Sequence, residues 1–261
     1  MPFYAKALDG FAGLGIPTQV IALDRDTVLR RIEQDNWFHI LNHSRLPHAR
    51  ALMAGVAYIY PYWNLDPLGI RAFSSIGDKP FRPAKIDGDT ARSFLDALRQ
   101  KWVVTRTSRY EQPEARATDL PDNPILVVFQ SEADRSVDKT CYMDRWQMLE
   151  TCLEADHGPV VVKPHPRDLE PQTFDRLLKL KQQHDHLYIN TGNIHDLLDA
   201  ATRVVTINSA VGLEAYLHRK PVTLCGQSDF HHIADTATSP DVLRGILKEN
   251  RPGRVYAKYL Y

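Results

Sequence analysis

The chain has 261 residues, of which 43% are hydrophobic and 25% are charged, as in compact globular proteins and unlike disordered, collagen-like or disulfide-stapled chains. Lys plus Arg and Asp plus Glu both number 32, so the formal net charge is zero and no global field favours nucleic acid or an anionic membrane. An anionic ligand has to be met by a local cluster of cations, and we expect no nucleic-acid partner.

The N-terminal residues lack the basic stretch and apolar run of a signal peptide, and no segment approaches the roughly 18 apolar residues of a membrane span. We therefore expect a cytoplasmic protein; the sequence leaves open a peripheral contact with the inner membrane. Cys141, Cys152 and Cys225 form no C-x-x-C pair, which predicts reduced core cysteines and no metal site.

The first half of the chain is poor in strand patterns. A β-branched run predicts a strand over 18–23, followed by a helix over 26–34. Further strands are expected over 37–41 and 55–60, and a helix over 90–99 with Asp89 as its cap.

Residues 108–124 carry three prolines and many charges, a composition typical of interdomain linkers. We therefore place a domain boundary near residue 121. This predicts an N-terminal acceptor-side domain over 1–121 and a nucleotide-binding domain over 122–261.

The second half alternates short apolar runs with helical patterns, as in a parallel sheet that is buried on both faces. The predicted strands are 125–129, 160–163, 187–189, 203–207 and 222–224, and the predicted helices are 142–154, 172–183, 194–200, 210–218 and 241–249. Ligands of such sheets bind outside the carboxyl ends of the strands, so the residues that follow each run are the candidate site residues.

The run over 125–129 is followed by Gln130, Glu132, Asp134 and Ser136. A carboxylate at a strand end can act as a general base, a nucleophile or a substrate clamp. A solvated loop whose Asp caps the next helix is the alternative interpretation.

The second run ends in Lys163-Pro164-His165-Pro166-Arg167. The prolines restrict the backbone on both sides of the imidazole, and the two cations form a local positive cluster. His165 can hydrogen-bond a phosphate and titrates near neutral pH. A rigid surface turn with incidental charges is the alternative.

The fourth run is followed by Asn208-Ser209 and then by Gly212 and Glu214. Ser209 is a suitable helix cap, Gly212 allows close approach to the first turn, and the unpaired N–H groups of a helix start attract anions. Glu214 could reach the hydroxyl pair of a ribose, or could be a first-turn acid favoured by the helix dipole.

Three other segments carry weaker signals. The D-x-D pairs at 24–26 and 87–89 match metal-nucleotide spacing, but both precede helical patterns and are better interpreted as caps. The polar-aromatic segment 63–75 fits either a sugar platform or a packed loop.

The motifs occur in a definite order: Gln130-x-x-x-Asp134-x-Ser136, then Lys163-Pro164-His165-Pro166, then Asn208-Ser209-x-Val211-Gly212-Leu213-Glu214-Ala215 before Lys220-Pro221-Val222. This order resembles the bacterial capsule polysaccharide synthesis family, whose best understood members are similar to Kdo transferases that use CMP-Kdo. The segment Trp63-x-x-Asp66-Pro67-x-Gly69 adds to the resemblance, which extends over about residues 60–230.

The resemblance implies an α/β, GT-B-like fold: two Rossmann-type domains with the sugar nucleotide in the cleft between them. The N-terminal domain would be reduced, since it has few predicted strands. By the family pattern Asp134 would be the catalytic carboxylate, His165 and Ser209 would hold the donor phosphate, and Glu214 would lie near the cytidine ribose. Gln130, Lys163, Arg167, Asn208 and Gly212 complete the predicted donor site.

The implied reaction transfers an acidic sugar, Kdo, from CMP to a glycan or glycolipid acceptor. CMP leaves as a monophosphate, whose charge cationic side chains and helix N–H groups can meet, so no metal and no cofactor is expected. Two other functions stay open: another GT-B-like enzyme, such as a UDP-sugar transferase or epimerase, and a noncatalytic protein that binds glycan or nucleotide during assembly of a surface polysaccharide.

Overall fold

The computed structural model describes residues 2–59, 61–131, 139–155, 158–168, 171–249 and 253–261. The chain forms two compact units, Met1–Ser75 and Ile76–Tyr261. This division lies before the boundary predicted near residue 121, and the functional domains 1–121 and 122–261 stay a prediction.

The first unit contains a three-stranded sheet, as expected for a reduced N-terminal domain. Its elements are α1 (Pro2–Gly13), α2 (Val28–Gln34), β1 (His39–Asn42), β2 (Ala51–Val56), β3 (Trp63–Asp66) and a 3-10 turn (Arg71–Phe73). In the sheet order β1-β2-β3, the first pair is parallel and the second antiparallel. Ile32, Leu41, Ala51 and Met53 form its buried core.

Three predictions for this unit can be compared with the structure. Residues 18–23 are exposed coil except for partly buried Leu23, so the predicted strand is wrong. Segment 63–75 begins with β3 and continues as a loop that packs on Asp66, whose buried carboxylate accepts hydrogen bonds from the backbone of Leu68, Gly69 and Ser75. Asp24 accepts hydrogen bonds from the Thr27 hydroxyl and the Asp26 N–H in the turn before α2. The N-cap of α2 is Thr27, so the predicted cap at 24–26 is wrong.

The second unit alternates helices and strands. It comprises α3 (Gly88–Arg99), β4 (Ile125–Val128), α4 (Arg145–Glu154), β5 (Val160–Lys163), α5 (Pro171–Gln183), β6 (Leu187–Ile189), α6 (Ile194–Ala200), β7 (Arg203–Thr206), α7 (Val211–Leu217), β8 (Val222–Leu224), β9 (Asp235–Thr236), α8 (Pro240–Lys248) and α9 (Tyr256–Leu260), with short 3-10 or π turns at Pro83–Lys85, Gln100–Val104 and His231–Ile233. Helices α4 and α8 pack together, as do α3 and α9.

The sheet of the second unit is parallel throughout, in the order β6-β5-β4-β7-β8-β9. This is the Rossmann order, in which the chain winds outward first on one side of β4 and then on the other. The switch point therefore lies between β4 and β7, and the α/β prediction is confirmed.

The five strands predicted in this half are present to within one residue at either end. The five predicted helices are also present, with α4 beginning at Arg145 because Asp144 caps it through the N–H groups of Trp146 and Gln147. The cap of α3 is Asp87, which accepts from the Thr90 N–H, and not Asp89.

The segment interpreted as a linker is fastened to the second unit. We name residues 105–118 the strap. The Asp196 carboxylate accepts hydrogen bonds from Arg106, Arg116 and the Ala117 N–H, while Gln112 accepts from the Ile194 N–H at the start of α6. The strap is thus part of this unit, although it buries few apolar side chains.

No helix within the described ranges is long and apolar enough to cross a bilayer.

Candidate functional site

Three of the predicted motifs begin side by side, at the carboxyl ends of neighbouring strands of the sheet. Val128, the last residue of β4, is paired with Lys163 at the end of β5 and with Thr206 at the end of β7. The loops that begin at Phe129, Pro164 and Ile207 therefore start side by side at the carboxyl edge, around the switch point. Ligands of doubly wound sheets bind at this place.

Gln130 and Asn208 join two of these loops. The Gln130 amide donates to the Asn208 side chain at 2.9 Å and accepts from the Asn208 N–H at 2.8 Å. Asn208 donates in turn to the Thr140 hydroxyl and the Gln227 carbonyl. Both residues were predicted to bind donor, and the structure shows that their amides hold the loops together.

Lys163 is buried at the end of β5. Its ammonium group donates to the backbone carbonyls of Thr191, at 3.2 Å, and Gly192. Burial lowers the pKa of Lys163 to about 8, against the opposing charge of Glu214. Lys163 and Glu214, the carboxylate expected near a ribose, thus interact electrostatically.

His165 and Arg167 flank a tyrosine of the strap. The Tyr110 ring makes an edge contact with the His165 ring at 5.1 Å, and the Arg167 guanidinium lies 5.0 Å from the Tyr110 centroid. His165 Nδ1 accepts the Arg167 N–H at 3.1 Å, so the proton of the neutral imidazole is on Nε2. Arg167 is exposed, and the pair presents donors suited to an anion.

Ser209 and Gly212 lie at the start of α7. The Ser209 hydroxyl accepts the Val211 N–H at 3.3 Å. The N-cap of α7 is Ala210, so the predicted cap at Ser209 is wrong. A Cβ on Gly212 would lie 2.7 Å from a ring carbon of Phe230. Close packing of Phe230 therefore explains the glycine, and its approach to a ligand stays a prediction.

Glu214 is buried in α7 and accepts a hydrogen bond from the Ser108 hydroxyl of the strap. Burial raises the pKa of Glu214 to about 7, while the Ser108 hydrogen bond and the Lys163 charge oppose the rise. A buried carboxylate close to its titration point is typical of functional sites.

Asp134, the predicted catalytic carboxylate, lies outside the described residues, as do Glu132 and Ser136. Among the residues that are described, no group of three or more His, Cys, Asp or Glu side chains could hold a metal ion. The catalytic role of Asp134 and metal independence both stay predictions.

Sequence reasoning missed three residues of this edge. Ser108 and Tyr110 lie in the strap, whose linker-like composition carries no site signal. Asp168 follows the K-P-H-P-R motif and forms a buried ion pair with Arg145 of α4, and its N–H donates to the His165 carbonyl. The acid after the motif was the available signal, since a loop acid commonly anchors its own loop.

A sequence model of the family described as capsule polysaccharide biosynthesis protein matches residues 86–237. Protein FixF of Sinorhizobium fredii (strain NBRC 101917 / NGR234) is 29% identical over 176 residues, which cover 64% of this chain and 40% of that protein. The chain thus spans less than half the length of this curated relative.

Two solved structures from Thermosulfurimonas dismutans are similar to the chain. The KpsC beta Kdo 2,7 transferase superposes with a TM-score of 0.60 at 17% identity, covering 91% of this chain and 80% of that one. The KpsC beta Kdo 2,4 transferase gives 0.53 at 16% identity, covering 80% and 70%. The likeness is one of fold, and it confirms the predicted GT-B-like class.

Proposed function

Because the chain belongs to the capsule polysaccharide biosynthesis protein family, we propose that it is a glycosyltransferase that moves an acidic sugar, Kdo, from CMP to a glycan or glycolipid. One observation carries the proposal. The motif loops after β4, β5 and β7 start side by side at the switch point, where a sheet of this order binds nucleotides.

The leaving group is a nucleoside monophosphate, and its departure needs charge stabilisation at the phosphate. His165 donates from Nε2 without having to be protonated, since Nδ1 already accepts the Arg167 N–H. Arg167 adds a permanent positive charge beside it, and Ser209 adds a hydroxyl at the start of α7. These groups can meet the phosphate without a metal ion.

The nucleoside is placed by Glu214 in this proposal. An ionised carboxylate accepts hydrogen bonds from two neighbouring hydroxyls, which is the pattern that a ribose presents. Glu214 is available for this at neutral pH and above, because burial brings its pKa only to about 7.

In the transfer step the acceptor hydroxyl oxygen becomes bonded to the anomeric carbon, and the bond from that carbon to the CMP phosphate breaks. The electron pair of the broken bond leaves with CMP, and the acceptor proton passes to a base. We assign Asp134 to this centre, either as that base or as a carboxylate that forms an adduct with the sugar. Its position in the sequence, shortly after the last residue of β4, supports the assignment.

The proposal places the protein in the cytoplasm, with peripheral contact at the inner membrane where the acceptor is a glycolipid. Melting temperatures with CMP, UDP and UMP test the nucleotide, and incubation with CMP-Kdo and an acceptor tests transfer. We expect CMP to stabilise most, and Asp134→Ala to keep the CMP shift while abolishing transfer. A larger shift with UDP would favour a UDP-sugar enzyme, and CMP binding without hydrolysis or transfer would favour a noncatalytic protein.

A further inference from the structure

We propose that Ser108 is a positioning residue of the nucleotide site, which holds the Glu214 carboxylate ready to receive the paired hydroxyls of a ribose. The inference rests on the proposed nucleotide binding and deepens it. It assigns a site role to the strap, a segment whose composition marks it as a linker.

The contact joins two distant parts of the chain. The Ser108 hydroxyl donates to Oε1 of Glu214, and α7 holds that carboxylate buried at 6% exposure. One oxygen of Glu214 is thus fixed by the strap, so the orientation of the other oxygen is fixed as well. A carboxylate has about four lone-pair positions, and the Ser108 bond uses one of them.

The backbone of Ser108 is held by a chain of buried imidazoles. His195 donates from Nε2 to the carbonyl of Thr107 at 2.8 Å. Its Nδ1 lies 2.9 Å from Nε2 of His218, whose Nδ1 lies 2.7 Å from the Asp199 carboxylate. Both histidine side chains are buried. The position of Ser108 is therefore set by α6 and the end of α7 through the residue that precedes it.

The strap has a second attachment to α6, one residue before Thr107. Arg106, which precedes Thr107, is partly buried and forms an ion pair with the buried Asp196 carboxylate at 2.7 Å. Residues 106 and 107 are thus both fastened to α6, and Ser108 is the first strap residue that turns to α7. An accidental surface contact would need no such double anchor.

The hydroxyl matters because it controls the proton on Glu214. Lys163 of β5, through its charge, and Ser108 of the strap, through its hydrogen bond, both oppose the effect of burial on the pKa of this carboxylate. Removal of the Ser108 hydroxyl removes one of these opposing effects, so Glu214 keeps its proton to higher pH. A protonated carboxyl has fewer acceptor positions than a carboxylate and accepts more weakly, so it binds the ribose hydroxyl pair less tightly.

The test compares CMP with 2′-deoxy-CMP, since both keep the base and the phosphate and only the first offers the full hydroxyl pair. Calorimetric titrations between pH 6 and pH 9 are made on wild type, Ser108→Ala, Ser108→Thr and Thr118→Ala. Thr118 is exposed in the same strap, and its substitution is the matched control.

We expect wild type and Thr118→Ala to prefer CMP at pH 7. In Ser108→Ala this preference falls by roughly five- to tenfold, the net loss typical of one ordinary hydrogen bond, and it returns at pH 9. Ser108→Thr restores the wild-type pH profile. A preference that drops equally at every pH, or does not drop, overturns the inference.

A second measurement separates this inference from the proposed function. The Glu214 carboxyl of the ligand-free protein is titrated by ¹³C NMR, with Glu214→Gln to assign its signal. A titration midpoint that is the same in wild type and Ser108→Ala overturns the role of Ser108 alone. Failure of wild type to bind CMP overturns the proposed function, whatever the titration shows.

Discussion

Gln130 and Asn208 exchange two hydrogen bonds across the switch point of the sheet. Asn208 also donates to the Thr140 hydroxyl and the Gln227 carbonyl. The oxygen and the nitrogen of its side-chain amide therefore both have hydrogen-bond partners. The pair connects the loops that follow β4 and β7, and the proposed phosphate site depends on that connection.

Asn208→Asp tests this connection with little change of shape. The new carboxylate cannot donate to Gln227 and faces its carbonyl oxygen instead, so we expect a loss of about 1–3 kcal/mol in the free energy of unfolding. Urea denaturation at pH 7 measures it. Gln182→Glu, an exposed amide on α5, is the control and should be near neutral; equal effects of the two variants would refute the role of Asn208.

Gly212→Ala should destabilise the second unit. The added Cβ would lie 2.7 Å from the Phe230 ring, and overpacking of this kind costs about 1–3 kcal/mol. Gly245 provides a control of opposite sign, because it lies inside α8 with nothing within 4 Å of an added Cβ. Gly245→Ala should raise the stability by about 0.5–1 kcal/mol, as read from melting temperatures. A neutral Gly212→Ala would contradict the packing explanation.

Asp168→Ala should be strongly destabilising. The substitution leaves Arg145 buried without the carboxylate of its ion pair, and removal of one partner of a buried pair costs about 3–5 kcal/mol. Glu150 pairs with Arg176 at 2.7 Å where both side chains are exposed, and Glu150→Ala should cost less than about 1 kcal/mol. Denaturant midpoints of the two variants measure these losses of stability, and a cost below about 1 kcal/mol for both variants would contradict the prediction.

Glu214→Gln should change how stability depends on pH. Burial raises the pKa of Glu214 from 4.5 to about 7, so the folded protein binds this proton more tightly than the unfolded chain. The linked stabilisation is complete below about pH 4.5 and is lost as the pH rises through about 7. Wild type should therefore lose stability relative to Glu214→Gln between pH 5 and pH 8, measured by urea denaturation at both.

The same variant should lose the preference for CMP over 2′-deoxy-CMP, since an amide cannot accept from two hydroxyls in the way a carboxylate does.

A stability difference between wild type and Glu214→Gln that is constant from pH 5 to pH 8 would show that Glu214 does not titrate in this range. Asp241→Asn, on the exposed side of α8, controls for the loss of a charge.

The strands of the second unit could be predicted from sequence because they are buried on both faces, and such strands appear as short apolar runs. Their carboxyl ends then placed the starts of the three motif segments at one edge. The run over 18–23 is also rich in β-branched residues, but no strand forms there, since strand formation needs a neighbouring strand to pair with, which composition does not reveal.

The strap could not be predicted for a related reason. Its hydrogen-bond partners, such as Asp196 and Ile194, lie some eighty residues away in the sequence. Prolines and charges in 108–124 signal an irregular backbone correctly, but they say nothing about what the backbone contacts. The roles of Ser108 and Tyr110 follow from those distant contacts, so only the coordinates could reveal them.

The fastening of the strap also decides where the chain can be cut. An expression fragment that starts at residue 122 would discard Arg106 and Arg116 and leave the Asp196 carboxylate, at 8% exposure, with no counter-charge from this segment. A fragment that starts at residue 76 keeps both arginines and every strand of the Rossmann sheet. Truncation at the apparent linker would therefore damage the half of the protein it was meant to isolate.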